Sequence, residues 1–408
     1  MSYLRGNAVV GQSGGPTSAI NATLSGVIRA TISSPYIDKL YGMKNGIEGL
    51  LLEDFIDLSE FFKDEEKLSL LELTPASALG SCRKKLPEVA SGDEIYGRIV
   101  DIFKKYNIRY FFYIGGNDSM DTVKKLSAYF KDSDYEIRLI GVPKTIDNDL
   151  VKTDHTPGFG SSAKFIASTI KEIALDCAVY KMKAVTIVEL MGRDSGWLTC
   201  AAALPKYHFG YGADIVYLPE IPFSNERFIE DVKKELEKHP NVVVAVSEGV
   251  QYENGTYVGE GKQSGTCDAF GHKYLAGTAK NIEALVREKI GCKVRSIELN
   301  LPQRCSAHML SATDIDESVE IGKQAVCFAL EGKSAIMCAF NRVADYKIEI
   351  VSVPIEETAN FVKHVPRELI NSEGNGVTKE CIDYITPLIL GEKEIKYEMG
   401  MPTHLLLR

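Results

Sequence analysis

The sequence predicts an α/β protein built on mostly parallel sheets. Three observations lead there. Short β-type runs alternate with amphipathic helical stretches through most of the chain, the pattern of parallel α/β architecture. The strand runs are continuously apolar rather than alternating, as expected for strands covered on both faces. Glycine-rich turns follow several of them, where open α/β sheets bind ligands. At 408 residues the chain is long for one domain, so two domains are expected.

The expected strands are Asn7 to Val10, Tyr110 to Ile114, Ile137 to Val142, Ala184 to Glu189, Asp214 to Leu218, Val242 to Val246, Ala335 to Ala339 and Ile348 to Val353. Between them, Ile20, Leu24, Val27 and Ile28 recur at helical spacing, as do Phe165, Ile166, Ile170, Ile173 and Cys177. A third set is Phe228, Ile229, Val232 and Leu236, with Ser224 or Asn225 placed to cap its start.

Hydrophobic residues make up 45% and charged residues 25%, the balance of a soluble globular protein. The net charge of −9 disfavours general binding to nucleic acid or anionic membrane. No stretch approaches the length needed to span a bilayer, and the N-terminus carries no apolar signal region. The nine scattered cysteines lack zinc-type spacing and read as reduced cytosolic thiols.

Three turns carry the chemistry. Gly11-Gln12-Ser13-Gly14-Gly15-Pro16-Thr17-Ser18 follows the first strand, and its glycines let backbone N–H groups approach an anion. Gly115-Gly116-Asn117-Asp118-Ser119 opens a helix with Val123, Leu126 and Phe130 on one face, and its acid and amide suit Mg²⁺ or its waters. Pro143-Lys144-Thr145-Ile146-Asp147-Asn148-Asp149 places two aspartates beside a lysine at a strand end. One carboxylate can accept the proton of an attacking hydroxyl, and the other can work through metal or water.

These motifs resemble the 6-phosphofructokinase family. Ser13-Gly14-Gly15, Gly46-Ile47-Glu48-Gly49-Leu50, Leu79-Gly80-Ser81-Cys82-Arg83, the turn at 115–119, Thr145-Ile146-Asp147-Asn148-Asp149, Met191-Gly192-Arg193, Ser247-Glu248-Gly249 and Gln303-Arg304 occur in family order. The resemblance implies two similar-sized Rossmann-like lobes with the active site in the cleft between them. The phosphoryl-donor lobe would comprise residues 1–158 plus about 303–355. The fructose 6-phosphate lobe would comprise 159–302 plus the C-terminal segment.

The resemblance also implies roles. Asp147 would be the general base, with Thr145, Lys144 and Arg193 beside it in catalysis. Gly14, Gly15, Arg83, Gly116, Asn117, Asp118, Ser119 and Lys144 would hold the donor. Thr145, Asp147, Asp149, Met191, Gly192, Arg193, Glu248 and Arg304 would bind the sugar phosphate. Arg295 would reach the 6-phosphate of a neighbouring subunit, which requires a homodimer or homotetramer. Mg²⁺ would be the cofactor, with Asp118 as its ligand. Arginine suits phosphate because its planar fork meets the oxygens in pairs.

The donor is decided at two positions. In ATP-using relatives, as the resemblance implies, glycines stand where this chain has Asp118 and Lys144. A carboxylate about 4 Å from the α-phosphate of ATP would cost on the order of 4 kcal/mol at an effective dielectric near 20. That is roughly a thousandfold in affinity. Lys144 would place a cation beside pyrophosphate, so repulsion and attraction both select the donor. The expected reaction is reversible, pyrophosphate-dependent phosphorylation of fructose 6-phosphate in glycolysis or gluconeogenesis. The alternative is the ATP-dependent enzyme.

Three departures from the family pattern stand out. Asn117 replaces a common aspartate, Leu301 replaces a histidine, and Ala184 replaces an arginine whose contact Lys181 or Lys183 could take over. Lys273 and Tyr274 lie where the alignment is weakest. His155 and Trp197 read as loop structure and core packing.

Overall fold

The computed structural model describes residues 4–259, 277–343 and 346–407. Lys273, Tyr274 and Cys267 lie outside them. Two sheets form the scaffold. The larger has seven strands: β1 (Gly6–Gln12), β2 (Ile37–Met43), β3 (Phe55–Asp57), β4 (Ile108–Gly115), β5 (Arg138–Pro143), β10 (Ile336–Val343) and β11 (Lys347–Pro354), in the order β11-β10-β5-β4-β1-β2-β3. The smaller contains β6 (Ala184–Leu190), β7 (Ile215–Tyr217), β8 (Asn241–Ser247) and β9 (Lys293–Glu298), in the order β7-β8-β6-β9, all parallel. In the larger sheet only the edge pairs, β2 with β3 and β10 with β11, are antiparallel.

Continuous apolar runs feed both faces of these sheets. Val10, Tyr110, Phe112 and Ile114 enter one core with the helices Ile20–Ile32 and Ala312–Leu330. Val9, Phe111 and Tyr113 enter the opposite core with the helices Ile95–Lys105 and Asn117–Phe130. The smaller sheet sends Val188 and Leu190 to one core and Val185, Ile187 and Val244 to the other. Trp197 belongs to the first of these two and is 3% exposed.

The helices Ile20–Ile32 and Ala312–Leu330 meet through Gly26 and Gly322. A Cβ on Gly26 would lie 2.0 Å from the Val319 carbonyl oxygen, and one on Gly322 would lie 2.2 Å from that of Thr23. Only glycine permits this approach. The third expected helix is observed as Asn225–Lys238, with Ser224 as the cap: its Oγ accepts from Arg227 N at 3.3 Å.

All eight expected strands are present, their ends within four residues of those expected. Three strands of these two sheets were not expected, β2, β3 and β9, nor was the short pair Tyr397–Glu398 and Met401–Pro402. β9 reads Lys-Val-Arg-Ser-Ile-Glu and is an edge strand with an exposed alternate face, so it lacks the continuous apolar run. β2 is interrupted near its start by Asp38 and Lys39, both exposed.

The last segment returns to the smaller sheet. Val365, Ile370, Cys381, Ile382 and Leu388 join the core of Val188 and Leu190. Leu405 and Leu407 then pack on the larger sheet's core. No described helix is long and apolar enough to cross a membrane, and all eight described cysteines are free.

Candidate active site

The strands β1, β4 and β5 are adjacent and parallel, so their C-terminal ends bring three glycine-rich turns together. In the first, Gly14 takes φ 77°, and its carbonyl accepts from Ser81 Oγ at 2.6 Å. That bond ties the turn to the loop bearing Arg83. In the second, Gly115 is obligatory, since a Cβ there would lie 1.9 Å from Ser119 Oγ. The helix Asn117–Phe130 therefore starts directly at the strand end with Asp118 in its first turn.

The third turn supplies the charges. Lys144 is 2% exposed, and its Nζ donates to the Gly15 carbonyl oxygen at 2.5 Å. Burial pulls its pKa down to about 8, against the pull of Asp147. Asp147 accepts from Thr145 Oγ1 at 3.2 Å, and its backbone N–H donates to the same hydroxyl at 3.1 Å. Burial raises the Asp147 carboxyl. Burial and the Asp147 charge push Asp149 up to about 7.

The smaller sheet contributes the opposite wall. Past the end of β6, Gly192 takes φ 125° and donates its N–H to Glu248 Oε1 at 3.3 Å. Ser247 Oγ donates to the Gly192 carbonyl at 2.6 Å. Met191 N donates to Gln303 Oε1 at 3.3 Å, linking this turn to the residue before Arg304. Burial pushes Glu248 up to about 7. Arg304 lies against the first turn, where a Cβ on Gly15 would sit 3.2 Å from its Nη1. Burial and neighbouring Arg83 lower its pKa.

These walls enclose a cavity of about 450 Å³, large enough for a sugar phosphate and a small anion. Every candidate named from the sequence lines it except Gly192 and Arg295. Gly192 is buried behind Met191 and Glu248. Arg295 is exposed on β9, in a separate groove with Tyr180, Met182 and Ala184. Leu301 is 53% exposed and stays outside the cavity.

Asp194, Ser195, Lys85, Asn360 and Val362 also line the cavity and were missed. Asp194 and Lys85 stand within two residues of motif residues, which was their signal. Asn360 and Val362 come from the C-terminal segment and had none. Three buried polar atoms in the lining, Asn117 Oδ1, Ser119 Oγ and Arg193 Nε, have no protein partner.

Residues 7–328 match the phosphofructokinase family. The chain belongs to the phosphofructokinase family. Among relatives of this phosphofructokinase chain, the pyrophosphate–fructose 6-phosphate 1-phosphotransferase of Halomonas elongata is 40% identical over 401 residues, 97% of this chain and 94% of its own length. The protein of the same name from Methylococcus capsulatus is 38% identical, over 98% and 96% of the two chains. A crystal structure of a pyrophosphate-dependent phosphofructokinase from Nitrosospira multiformis aligns at a TM-score of 0.88 with 35% identity, covering 98% of this chain and 96% of that one. The two-lobe phosphofructokinase fold is therefore the fold of this chain.

Proposed function

We propose that this phosphofructokinase-family chain transfers a phosphoryl group from pyrophosphate to the 1-hydroxyl of fructose 6-phosphate. The observation that carries the reading is the buried Lys144 ammonium on the Gly15 carbonyl, in a cavity that Asp118 also lines. The cation offers a fixed charge to a small, highly charged donor. The carboxylate repels the α-phosphate of a nucleotide.

In-line transfer needs positioning, charge on the non-bridging oxygens and a base for the acceptor. Asp147 takes the hydroxyl proton, with Thr145 orienting its carboxylate. Lys144, Arg83 and the turn at Gly14 and Gly15 hold pyrophosphate. Arg193, Met191, Glu248 and Arg304 hold the sugar phosphate. The donor set also fits Mg²⁺, which Asp118 would hold through a carboxylate oxygen and Asn117 through its unpartnered Oδ1, oxygen ligands of the kind this ion takes. When bound, the ion neutralises phosphate charge.

Arg295 reads as a ligand for a neighbouring copy's 6-phosphate. Its groove is flanked by exposed Tyr180 and Met182, 51% and 56% exposed, which supports a homodimer or homotetramer. The eight free described cysteines support a cytoplasmic setting for this reversible step in sugar phosphate metabolism.

A coupled assay with pyrophosphate or ATP as donor, and fructose 6-phosphate or sedoheptulose 7-phosphate as acceptor, tests the reading. Turnover with pyrophosphate and fructose 6-phosphate is expected. Turnover with ATP alone would overturn it.

A further inference from the structure

The turn bearing Asp147 and Asp149 is held by residues beyond 328, where the family match ends. Asn148, between the two acids, is fully buried and takes φ 54°. Asparagine tolerates this left-handed conformation better than other non-glycine residues, and here its side chain is fixed by its surroundings. The side-chain amide is gripped at both ends. Its Nδ2 donates to Tyr384 Oη at 2.9 Å, and its Oδ1 accepts from Lys363 Nζ at 3.1 Å.

The same two residues close the rest of the turn. Lys363 Nζ donates to the carbonyl oxygens of Thr153 at 3.2 Å and Asp154 at 2.7 Å. Tyr384 Oη donates to the Asp154 carbonyl at 2.6 Å. The Lys363 main chain bridges the two walls of the cleft. Its N–H donates to the Asp149 carbonyl at 2.7 Å, and its own carbonyl accepts from Ser195 Oγ at 3.2 Å and Trp197 Nε1 at 3.0 Å.

An ammonium has three donors, and here Asn148, Thr153 and Asp154 accept all three. None is left for substrate. From this arrangement we infer that Lys363 is a positioning residue: with Tyr384 it locks the Asn148 side chain and thereby aims the carboxylates on either side of it. The inference rests on the phosphoryl-transfer reading above. Misplacing a catalytic group by about 1 Å can cost about 100-fold, so the effect belongs in kcat.

The test uses the full-length protein. Lys363→Met, similar in length but uncharged, is expected to lower kcat about 10- to 100-fold, with KM for pyrophosphate and fructose 6-phosphate within about twofold. Tyr384→Phe is expected to lower kcat several-fold. The double variant should lose less than the product of the two, because both act through one amide. Losses that multiply in full, or a KM effect without a kcat effect, would overturn the inference. Should Lys363→Met not fold, Asn148→Gly keeps the left-handed backbone and removes the amide. Tyr384→Phe should then lower kcat less than it does in the wild type, since only its bond to the Asp154 carbonyl remains, and a full-sized loss in that background would overturn the inference. A folded wild type without pyrophosphate-dependent turnover would instead overturn the proposed function.

Discussion

Lys85 Nζ and Asp118 Oδ1 stand 3.1 Å apart, joining the loop that carries Arg83 to the first turn of the helix Asn117–Phe130. Their side chains are 48% and 32% exposed, so the pair contributes only about 0–1 kcal/mol to stability. Its effect is on the donor. Lys85 partly neutralises the carboxylate, so the penalty against ATP falls below the thousandfold expected for an isolated charge.

The double variant Asp118→Gly, Lys144→Gly should therefore gain ATP-dependent kcat/KM by roughly 10- to 100-fold, within the range of one screened charge contact, and lose pyrophosphate-dependent turnover. Steady-state assays with both donors measure this. No gain with ATP would count against the charge argument.

Replacing Asp147 with Asn keeps the shape and removes the base. A fall in kcat of about 10²- to 10⁴-fold is expected, with both KM values and circular dichroism unchanged. Undiminished turnover would reassign the base.

Because burial holds Lys144 down to about 8, its cation is lost as pH rises through that value. KM for pyrophosphate should climb above about pH 8, while KM for fructose 6-phosphate responds less. Lys144→Arg keeps its charge, so its KM should stay flat to higher pH. Identical profiles would remove Lys144 from donor binding.

Asp149 titrates near 7 when folded, against about 3.9 in an unfolded chain. Its folded pKa is raised, so its stabilising share is present below about pH 4 and is lost as pH rises towards 7. Asp149→Asn should raise Tm at pH 8, leave it nearly unchanged near pH 4 and abolish most activity. Thermal unfolding at the two pH values reads this trade of stability for function. Equal Tm shifts at both would contradict it.

Gly26→Val tests the helix contact. Better helix propensity offers under about 1 kcal/mol, but the added carbons meet the Val319 carbonyl oxygen. Overpacking of this kind costs about 1–3 kcal/mol or more. Tm should fall by several degrees while kcat per folded molecule holds. An unchanged Tm would mean that the helices shift at little cost.

Much of this was readable because the chemistry sits where the local pattern is strongest. Val9, Phe111 and Ile140 lie in runs that can only be buried strands, and the turns after them are marked by Gly14, Gly116 and Lys144. β9 escaped because Lys293 and Arg295 alternate with Val294 and Ser296 on an exposed edge and Glu298 ends the run. Lys363 and Tyr384 escaped for a different reason. A lysine and a tyrosine in a C-terminal segment carry no local signature of an asparagine more than 200 residues away, and only the tertiary path joins them. His155, read as loop, is held between Asp154 and Glu317 at 2.8 and 2.7 Å. These carboxylates keep its pKa raised although burial opposes it.

The larger sheet takes two of its seven strands, β10 and β11, from residues 336–354. During synthesis, β5 waits without a neighbour on one side until nearly the whole chain has left the ribosome, whereas the smaller sheet has all four strands by residue 298. The internal lobe thus closes its sheet first, but its core still waits for Val365, Ile370, Cys381, Ile382 and Leu388, so neither lobe is complete until nearly all of the chain has emerged, and the usual N-to-C order of domain folding does not apply. A nascent chain halted at residue 330 would carry every charged group of the cleft proposed to act directly on substrate, yet would remain an incomplete enzyme.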